Sequence, residues 1–224
     1  MNLAPLIDHT LLKPIATLAE VEQLCTEAAA HHFYAVCVPP PFVKRAKNLL
    51  SPTSVKTATV IGFPFGYSAT EAKLAEAVLA LVDGADELDM VINLLALRMN
   101  DWDYIVKEVS LLAGVVHNKQ KGLKVIIESG MLTDEEIVRC CTTIGMLPID
   151  YMKTSTGYAE RGASADAVRL MKKHLPARVS IKASGGIRTY AFARSLVEAG
   201  AGRLGCSASV AIVEGAPDID KEGY

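Results

Sequence analysis

The chain has 224 residues, of which 50% are hydrophobic and 21% are charged. A chain of this length and apolar content can bury a large core without disulfides or metals, which excludes a generally disordered protein. The 23 basic residues nearly balance the 25 acidic ones, giving a net charge of -2, so a broad basic surface for nucleic acid or anionic lipid is also excluded.

Eight short apolar runs alternate with longer helical stretches along the chain. The predicted strands are 6–11, 33–38, 55–61, 85–92, 123–128, 149–154, 178–183 and 203–206. Their starts lie roughly 20 to 40 residues apart, the length of a strand plus a crossover helix. The pattern predicts one α/β domain over 1–224, a closed (β/α)8 TIM barrel, with a flexible C-terminal tail over 215–224. An open doubly wound sheet is the alternative, but no GxGxxG motif follows the first strand.

Several helix boundaries can be predicted from local signals. Thr17 and Thr133 each stand three residues before a glutamate, which is the capping-box pattern, and Thr70 is predicted to cap the third helix. The glycines expected to end helical stretches in the left-handed conformation are Gly84, Gly145 and Gly200.

The cysteines indicate the cellular compartment. The five of them (Cys25, Cys37, Cys140, Cys141 and Cys206) form no CxxC pair and have no zinc-type spacing with histidine. Free thiols are typical of a reducing cytosol. The sequence also carries neither a secretion-type leader nor about 18 uninterrupted apolar residues. We therefore predict a cytoplasmic protein that is neither exported nor membrane-spanning.

Charged residues interrupt three of the predicted strands, near the ends where barrel enzymes carry their reactive groups. Asp89 lies in ELDMVIN, on the same predicted inward face as Glu87. Lys153 and Lys182 end the sixth and seventh strands. Burial disfavours charged lysine and the two ammonium groups repel, so we expect a lowered pKa for at least one of them. A neutral lysine is a nucleophile that forms an imine with a carbonyl, which requires no metal.

A less reactive interpretation of these residues is also open. Lys153 and Lys182 could reach water at the strand ends, or pair with Asp150 and Glu128. Asp89 could form a structural salt bridge rather than carry protons. The pattern alone does not separate these alternatives for Asp89.

Glycine and hydroxyl residues cluster after the last three strands, at 155–157, 184–188 and 204–209. Glycines allow the backbone to approach a ligand closely, and a short helix starting near Ser207 would direct free N–H groups at an anion. Barrels commonly hold phosphate after strands seven and eight. The clusters predict a phosphate site, although ordinary strand-to-helix turns also use glycine.

Five segments together resemble the deoxyribose-phosphate aldolase family, a class I aldolase family of deoxyribonucleotide breakdown. They are IDHTLL, GADELDMVIN, KVIIESGMLTDEEI, MKTSTG and IKASGGIR, and the resemblance extends over about 6–213. It implies a TIM barrel that interconverts 2-deoxy-D-ribose 5-phosphate with D-glyceraldehyde 3-phosphate and acetaldehyde. The reaction would pass through a lysine Schiff base, without metal or organic cofactor.

The resemblance also implies roles for individual residues. Lys153 matches the Schiff-base lysine, Lys182 the second lysine that lowers its pKa, and Asp89 the acid that relays protons through water. The positions implied to bind the substrate are Asp8, Cys37, Thr156, Gly157, Gly185, Gly186, Gly205 and Ser207. Tyr158 stands where some members have lysine, and Tyr224 could fold over the pocket as a terminal tyrosine does in some relatives.

Other functions remain open at this point. The chain could be another TIM-barrel sugar-phosphate lyase or isomerase, including a metal-dependent aldolase, or a protein that binds a sugar phosphate without reacting. The five histidines show no metal-ligand spacing, and His9 is predicted to make a buried hydrogen bond. A symmetric homodimer is the expected assembly for a cytosolic barrel with an apolar helical face.

Overall fold

A computed structural model describes residues 1–215 and confirms the predicted closed barrel. Every strand is parallel to its neighbours, and β8 pairs back onto β1. The strands are β1 (Ile7–Thr10), β2 (Ala35–Val38), β3 (Lys56–Ile61), β4 (Glu87–Val91), β5 (Gly122–Ile126), β6 (Tyr151–Lys153), β7 (Ser180–Ser184) and β8 (Arg203–Cys206). Except for Gly215, the predicted tail lies outside the described residues, and so does Tyr224.

Nine α-helices follow or connect these strands in the described chain. They are α1 (Leu18–Ala30), α2 (Val43–Leu50), α3 (Thr70–Val82), α4 (Leu94–Arg98), α5 (Trp102–His117), α6 (Asp134–Thr143), α7 (Ala165–His174), α8 (Tyr190–Glu198) and α9 (Ser209–Val213). Within residues 1–215, no helix combines the length and the apolar character needed to cross a bilayer.

Most of the predicted helix ends are confirmed, and two are wrong. Thr17 and Thr133 form complete capping boxes. Thr70 is the first residue of α3 rather than its cap, because its hydroxyl donates to the Tyr104 hydroxyl of α5, 3.2 Å away. Gly84 and Gly200 adopt the left-handed conformation after α3 and α8, at φ +99° and +120°.

Gly145 does not end α6 in the left-handed conformation. It lies inside a short 3-10 turn, Ile144–Met146, that continues the chain directly from α6. A Cβ atom at this position would come within 2.9 Å of the Leu175 side chain. Close packing against the end of α7 therefore explains a glycine here.

The barrel has an apolar outer layer and a largely polar bore. Strand alternation sends Leu88 and Met90 of β4 outward into the core beneath the helices, whereas Glu87 and Asp89 face inward, as predicted. His9 on β1 is 3% exposed, and its Nε2 hydrogen-bonds with Glu27 of α1 at 2.8 Å, which confirms its predicted buried bond. The outer layer supplies the apolar burial that stabilises the fold, so charged residues can occupy the bore.

A buried charge pair between α3 and α5 contacts the end of β4 from outside the bore. Lys73 of α3 is fully buried, and its Nζ donates to Glu108 Oε1 at 2.7 Å and to the Val91 carbonyl at 2.8 Å. Glu108 also accepts from the Asn93 N–H at 3.1 Å. The pair fixes the segment that follows Asp89 against α3 and α5.

Candidate active site

Six charged side chains form a closed ring inside the bore, in which acids and bases alternate. We call this set the charge ring; in order around it, the members are Asp89, Lys124, Glu87, Arg203, Asp8 and Lys182. The ring draws on β1, β4, β5, β7 and β8. Three carboxylates face three cations, so the ring by itself is electrically balanced.

Asp89 is the junction between the charge ring and Lys153. Its Oδ1 accepts from Lys124 Nζ at 2.7 Å. Its Oδ2 accepts from Lys182 Nζ at 2.8 Å and from Lys153 Nζ at 2.9 Å. Lys153 is thus a seventh charged group, and the cluster contains one more base than acids.

The opposite side of the charge ring is closed by Arg203. Its Nη1 donates to Asp8 Oδ1 at 2.9 Å and to Glu87 Oε2 at 3.4 Å. The guanidinium also lies 3.2 Å from the centre of the Tyr34 ring and donates to the Tyr151 hydroxyl at 2.9 Å. These contacts use most of the donors of a buried arginine, as burial of its charge requires.

Mutual attraction keeps the charge ring ionised. Burial alone would raise the pKa of Asp8, but Lys182, Lys124 and Arg203 lower it to about 2. Burial opposes the ionised form of Asp89 in the same way, yet the neighbouring lysines hold its pKa well below the usual range. Burial disfavours the charge of Lys182, but Asp8 and Asp89 raise its pKa.

The alternative partners considered for the two lysines are wrong. Lys153 is 2% exposed and Lys182 is fully buried, so neither side chain extends into water. Asp150 instead pairs with His117 at 2.9 Å and accepts from the Leu123 N–H. Glu128 accepts hydrogen bonds from Thr156. Asp89 is the shared partner of both lysines.

A cavity of about 500 Å³ opens at the carboxyl ends of the strands, and Lys153 is the member of the charged cluster that lines it. Six of the residues predicted to bind substrate also line this cavity: Thr156, Gly157, Gly185, Gly186, Gly205 and Ser207. α9 begins at Ser209, close to the predicted start near Ser207. The cavity therefore has an amine at one side and a glycine-rich wall at the other.

Close packing against neighbouring atoms explains two of these glycines. Gly185 has φ +88°, and a Cβ there would lie 3.1 Å from the Gly162 Cα. A Cβ at Gly205 would lie 3.1 Å from Lys182 Cε. The glycine at 205 thus makes room for the side chain of Lys182.

The other two predicted substrate positions lie inside the bore. Asp8 belongs to the charge ring, in contact with Lys182 and Arg203. Cys37 is fully buried in a small apolar cluster with Ala58 and Val60. Burial raises the pKa of the Cys37 thiol to about 11, so it is a neutral packing group at neutral pH.

Sequence reasoning missed two cations that line the same cavity, Lys13 and Arg188. Arg188 ends the SGGIR segment, so its place in a glycine cluster was an available signal. Lys13 follows β1 without any such pattern. Tyr158 also lines the cavity, and its hydroxyl donates to the Leu12 carbonyl at 2.8 Å. Among residues 1–215, no cluster of three histidine, cysteine or acidic side chains is arranged to hold a metal ion.

Comparisons with known proteins agree with this architecture. A family profile described as DeoC/LacD family aldolase matches residues 3–214. A deoxyribose-phosphate aldolase of Thermococcus gammatolerans is 50% identical over 222 residues, covering 98% of this chain and 99% of that protein.

Solved structures give the same result. An aldolase designated QR15 superposes with a TM-score of 0.91 at 39% identity, covering 96% of this chain and 95% of its own. Deoxyribose phosphate aldolase from Aeropyrum pernix, described as a unique tetramer, has a TM-score of 0.89 at 33% identity and covers 95% of this chain and 89% of its own.

Proposed function

The chain belongs to the DeoC/LacD family of aldolases, and from this premise we propose that it reversibly cleaves 2-deoxy-D-ribose 5-phosphate to D-glyceraldehyde 3-phosphate and acetaldehyde. One observation carries the proposal. Lys153 is a buried amine that lines the cavity and contacts the balanced charge ring through Asp89. The amine is the nucleophile, and its covalent product with the substrate is a Schiff base.

Lys153 adds one base to a charge ring that is already balanced. The three carboxylates of the ring pair with its three cations, so none of them is left for Lys153 alone. The single carboxylate that contacts Lys153 is shared with Lys124 and Lys182. Asp89 therefore divides its two carboxylate oxygens among three lysines.

In the cleavage direction, Lys153 Nζ attacks the aldehyde carbon of the open-chain sugar. Loss of water gives a protonated imine at the first carbon of the sugar, which withdraws electrons from the bond between the second and third carbons. That bond breaks as the hydroxyl on its far carbon loses a proton, releasing glyceraldehyde phosphate and leaving an enamine. Protonation of the enamine and hydrolysis of the imine then release acetaldehyde and regenerate the amine.

Asp89 and Lys182 are proposed to move these protons through an ordered water molecule. Both lie next to Lys153, because Asp89 Oδ2 accepts from both lysines. Burial disfavours the charge of Lys182, but Asp8 and Asp89 raise its pKa, so Lys182 remains a positive charge beside Lys153 at neutral pH.

The glycine-rich wall is proposed to hold the substrate phosphate. Gly157, Gly185 and Gly186 would present backbone N–H groups, with Lys13 and Arg188 supplying positive charge. Holding the phosphate there positions the reacting carbon at Lys153, and such positioning can be worth about 7 to 11 kcal/mol of the barrier.

A retro-aldol assay tests the proposal. The protein is incubated with 2-deoxy-D-ribose 5-phosphate, and released acetaldehyde is detected by a coupled reduction. We expect turnover in the wild type, none above background in Lys153→Ala, and wild-type turnover in the control Lys107→Ala, which changes an exposed lysine of α5. Substrate binding without any acetaldehyde release would contradict the proposal and favour a sugar-phosphate-binding protein.

We further propose cytoplasmic action in deoxyribonucleotide breakdown, as a homodimer. The five cysteines are all buried and unpaired, which is typical of a reducing compartment. The exposed Leu79 and Val82 on α3 are 65% and 78% accessible and provide an apolar surface for self-association. Analytical ultracentrifugation tests the dimer, and a concentration-independent monomer would contradict it.

A further inference from the structure

Glu128 has an unusual backbone conformation shortly after the end of β5 at Ile126. Its φ and ψ are 53° and 55°, the left-handed region that residues other than glycine, asparagine and aspartate seldom adopt. Three other residues of the described chain that are not glycine share a positive φ, and they are His32, Asn100 and Gln120. All three lie just beyond the ends of helices, where this conformation commonly closes the last turn. Glu128 instead lies at the end of a strand, beside the cavity wall.

The side chain of Glu128 forms hydrogen bonds with one residue of that wall, Thr156. It is 2% exposed, and its carboxylate accepts from the Thr156 hydroxyl at 2.5 Å and from the Thr156 N–H at 3.3 Å. The Thr156 hydroxyl in turn accepts from the Tyr158 N–H at 3.0 Å. Burial raises the pKa of Glu128, whereas the bonds from Thr156 and the charge of Lys153 oppose the rise. The strained turn thus places the Glu128 carboxylate where it accepts hydrogen bonds from Thr156, in the middle of the 155–157 loop.

Lys153 and Thr154 are held by other contacts. Lys153 is in register with Lys182 of the neighbouring strand. The Thr154 N–H donates to the Lys182 carbonyl at 2.9 Å, and the Thr154 hydroxyl donates to the Ser184 carbonyl at 3.2 Å. These bonds do not pass through the Glu128 side chain. Loss of its carboxylate would therefore release the 155–157 loop while leaving the reactive amine in place.

We propose that Glu128 is a positioning residue that acts through Thr156 to fix the phosphate-binding loop, and that it thereby sets the preference for phosphorylated over unphosphorylated sugars. The inference rests on the proposed function, because it assumes that Gly157 contacts the substrate phosphate. Its chemistry is distinct from that of the charge ring, since Glu128 contacts Thr156 rather than the reacting atoms. A purely structural role would lower all activities together.

The test compares two substrates and one phosphate-free step. For wild type and Glu128→Gln, kcat/KM is measured with 2-deoxyribose 5-phosphate and with 2-deoxyribose, and the rate of borohydride-trapped imine formation is measured with acetaldehyde. In Glu128→Gln, we expect the kcat/KM for 2-deoxyribose 5-phosphate, divided by that for 2-deoxyribose, to fall at least tenfold. Most of the fall should come from a higher KM for the phosphorylated sugar. The trapping rate should stay within twofold of wild type.

Matched variants separate positioning from general damage. Thr156→Val should reproduce the loss, Thr156→Ser should retain the wild-type ratio, and the double variant Glu128→Gln with Thr156→Val should lose no more than either single one. Glu128→Gly relieves the left-handed backbone while removing the carboxylate, and it should show the same loss of ratio. Gln120→Gly relieves the same conformation far from the cavity and should keep the ratio unchanged.

The outcomes distinguish this inference from the proposed function. An unchanged substrate ratio in Glu128→Gln and Thr156→Val, or an equal loss on both sugars and in trapping, overturns the role of Glu128. If Glu128→Gln does not fold, Thr156→Val and Glu128→Gly decide the question in the same assays. Absence of trapping in the wild type would instead show that the proposed function itself is wrong.

Discussion

Replacing Lys182 with leucine is expected to move the pH dependence of turnover upward. Lys182 and Lys153 donate to the same oxygen of Asp89, at 2.8 and 2.9 Å, so their nitrogens can lie no more than about 5.7 Å apart. At that distance and an effective dielectric constant of about 20, two unit charges repel by about 3 kcal/mol, equivalent to about 2 pH units. Without Lys182, the charge ring and Lys153 together have as many acids as bases.

The assay is the pH profile of retro-aldol turnover, recorded together with that of acetaldehyde trapping. We expect the rising limb in Lys182→Leu to lie about 2 pH units above that of the wild type, and turnover at pH 7 to fall about 100-fold. Lys73→Met is the matched control, because it removes another fully buried lysine from a carboxylate partner outside the bore. It should cost about 3 to 5 kcal/mol of stability and leave the midpoint unmoved. A midpoint in Lys182→Leu that coincides with the wild type would show that Lys182 does not repel the charge on Lys153.

Three further predictions concern ionisation, thiol reactivity and metals. The pKa of Asp8 is lowered to about 2 in the folded protein. Its ionisation therefore contributes about 2 kcal/mol to the free energy of unfolding above its unfolded pKa near 4, and this contribution is lost as the pH falls through 2. In urea unfolding, the stability difference between wild type and Asp8→Asn should shrink from pH 5 to pH 2, and a constant difference would contradict the ion pairing. Burial raises the pKa values of Cys37 and Cys206 to about 11 and 12. Both thiols should therefore react with iodoacetamide at pH 7 at less than about 1% of their rate in the urea-unfolded chain. Equal rates would be inconsistent with their burial. Turnover should be unchanged after dialysis against EDTA, whereas a loss restored by a divalent cation would indicate the metal-dependent aldolase instead.

The fold was predictable because its main signal is local. Strand and helix lengths repeat eight times along the chain, and the closed barrel is the arrangement that such a repeat favours. The errors came from contacts between elements. Thr70 enters α3 because its hydroxyl finds Tyr104, and Gly145 packs against α7. Neither contact can be deduced from the residues on either side.

The candidate site was predictable only in part. Asp89, Lys153 and Lys182 stand out because each interrupts an apolar strand near its end. Lys124 and Arg203 also interrupt strands, but their place in the charge ring depends on how five strands align around the barrel. That register is a property of the closed sheet rather than of any one segment. The hydrogen bonds between Glu128 and Thr156 likewise depend on a backbone conformation that has no sequence signature.

Reductive trapping tests the central claim most directly. The protein is treated with acetaldehyde and sodium borohydride, digested, and analysed by mass spectrometry. We expect one ethyl group, on the side-chain nitrogen of Lys153, at neutral pH. Ethylation confined to exposed lysines, with Lys153 unmodified in an enzyme that still turns over, would contradict the central claim.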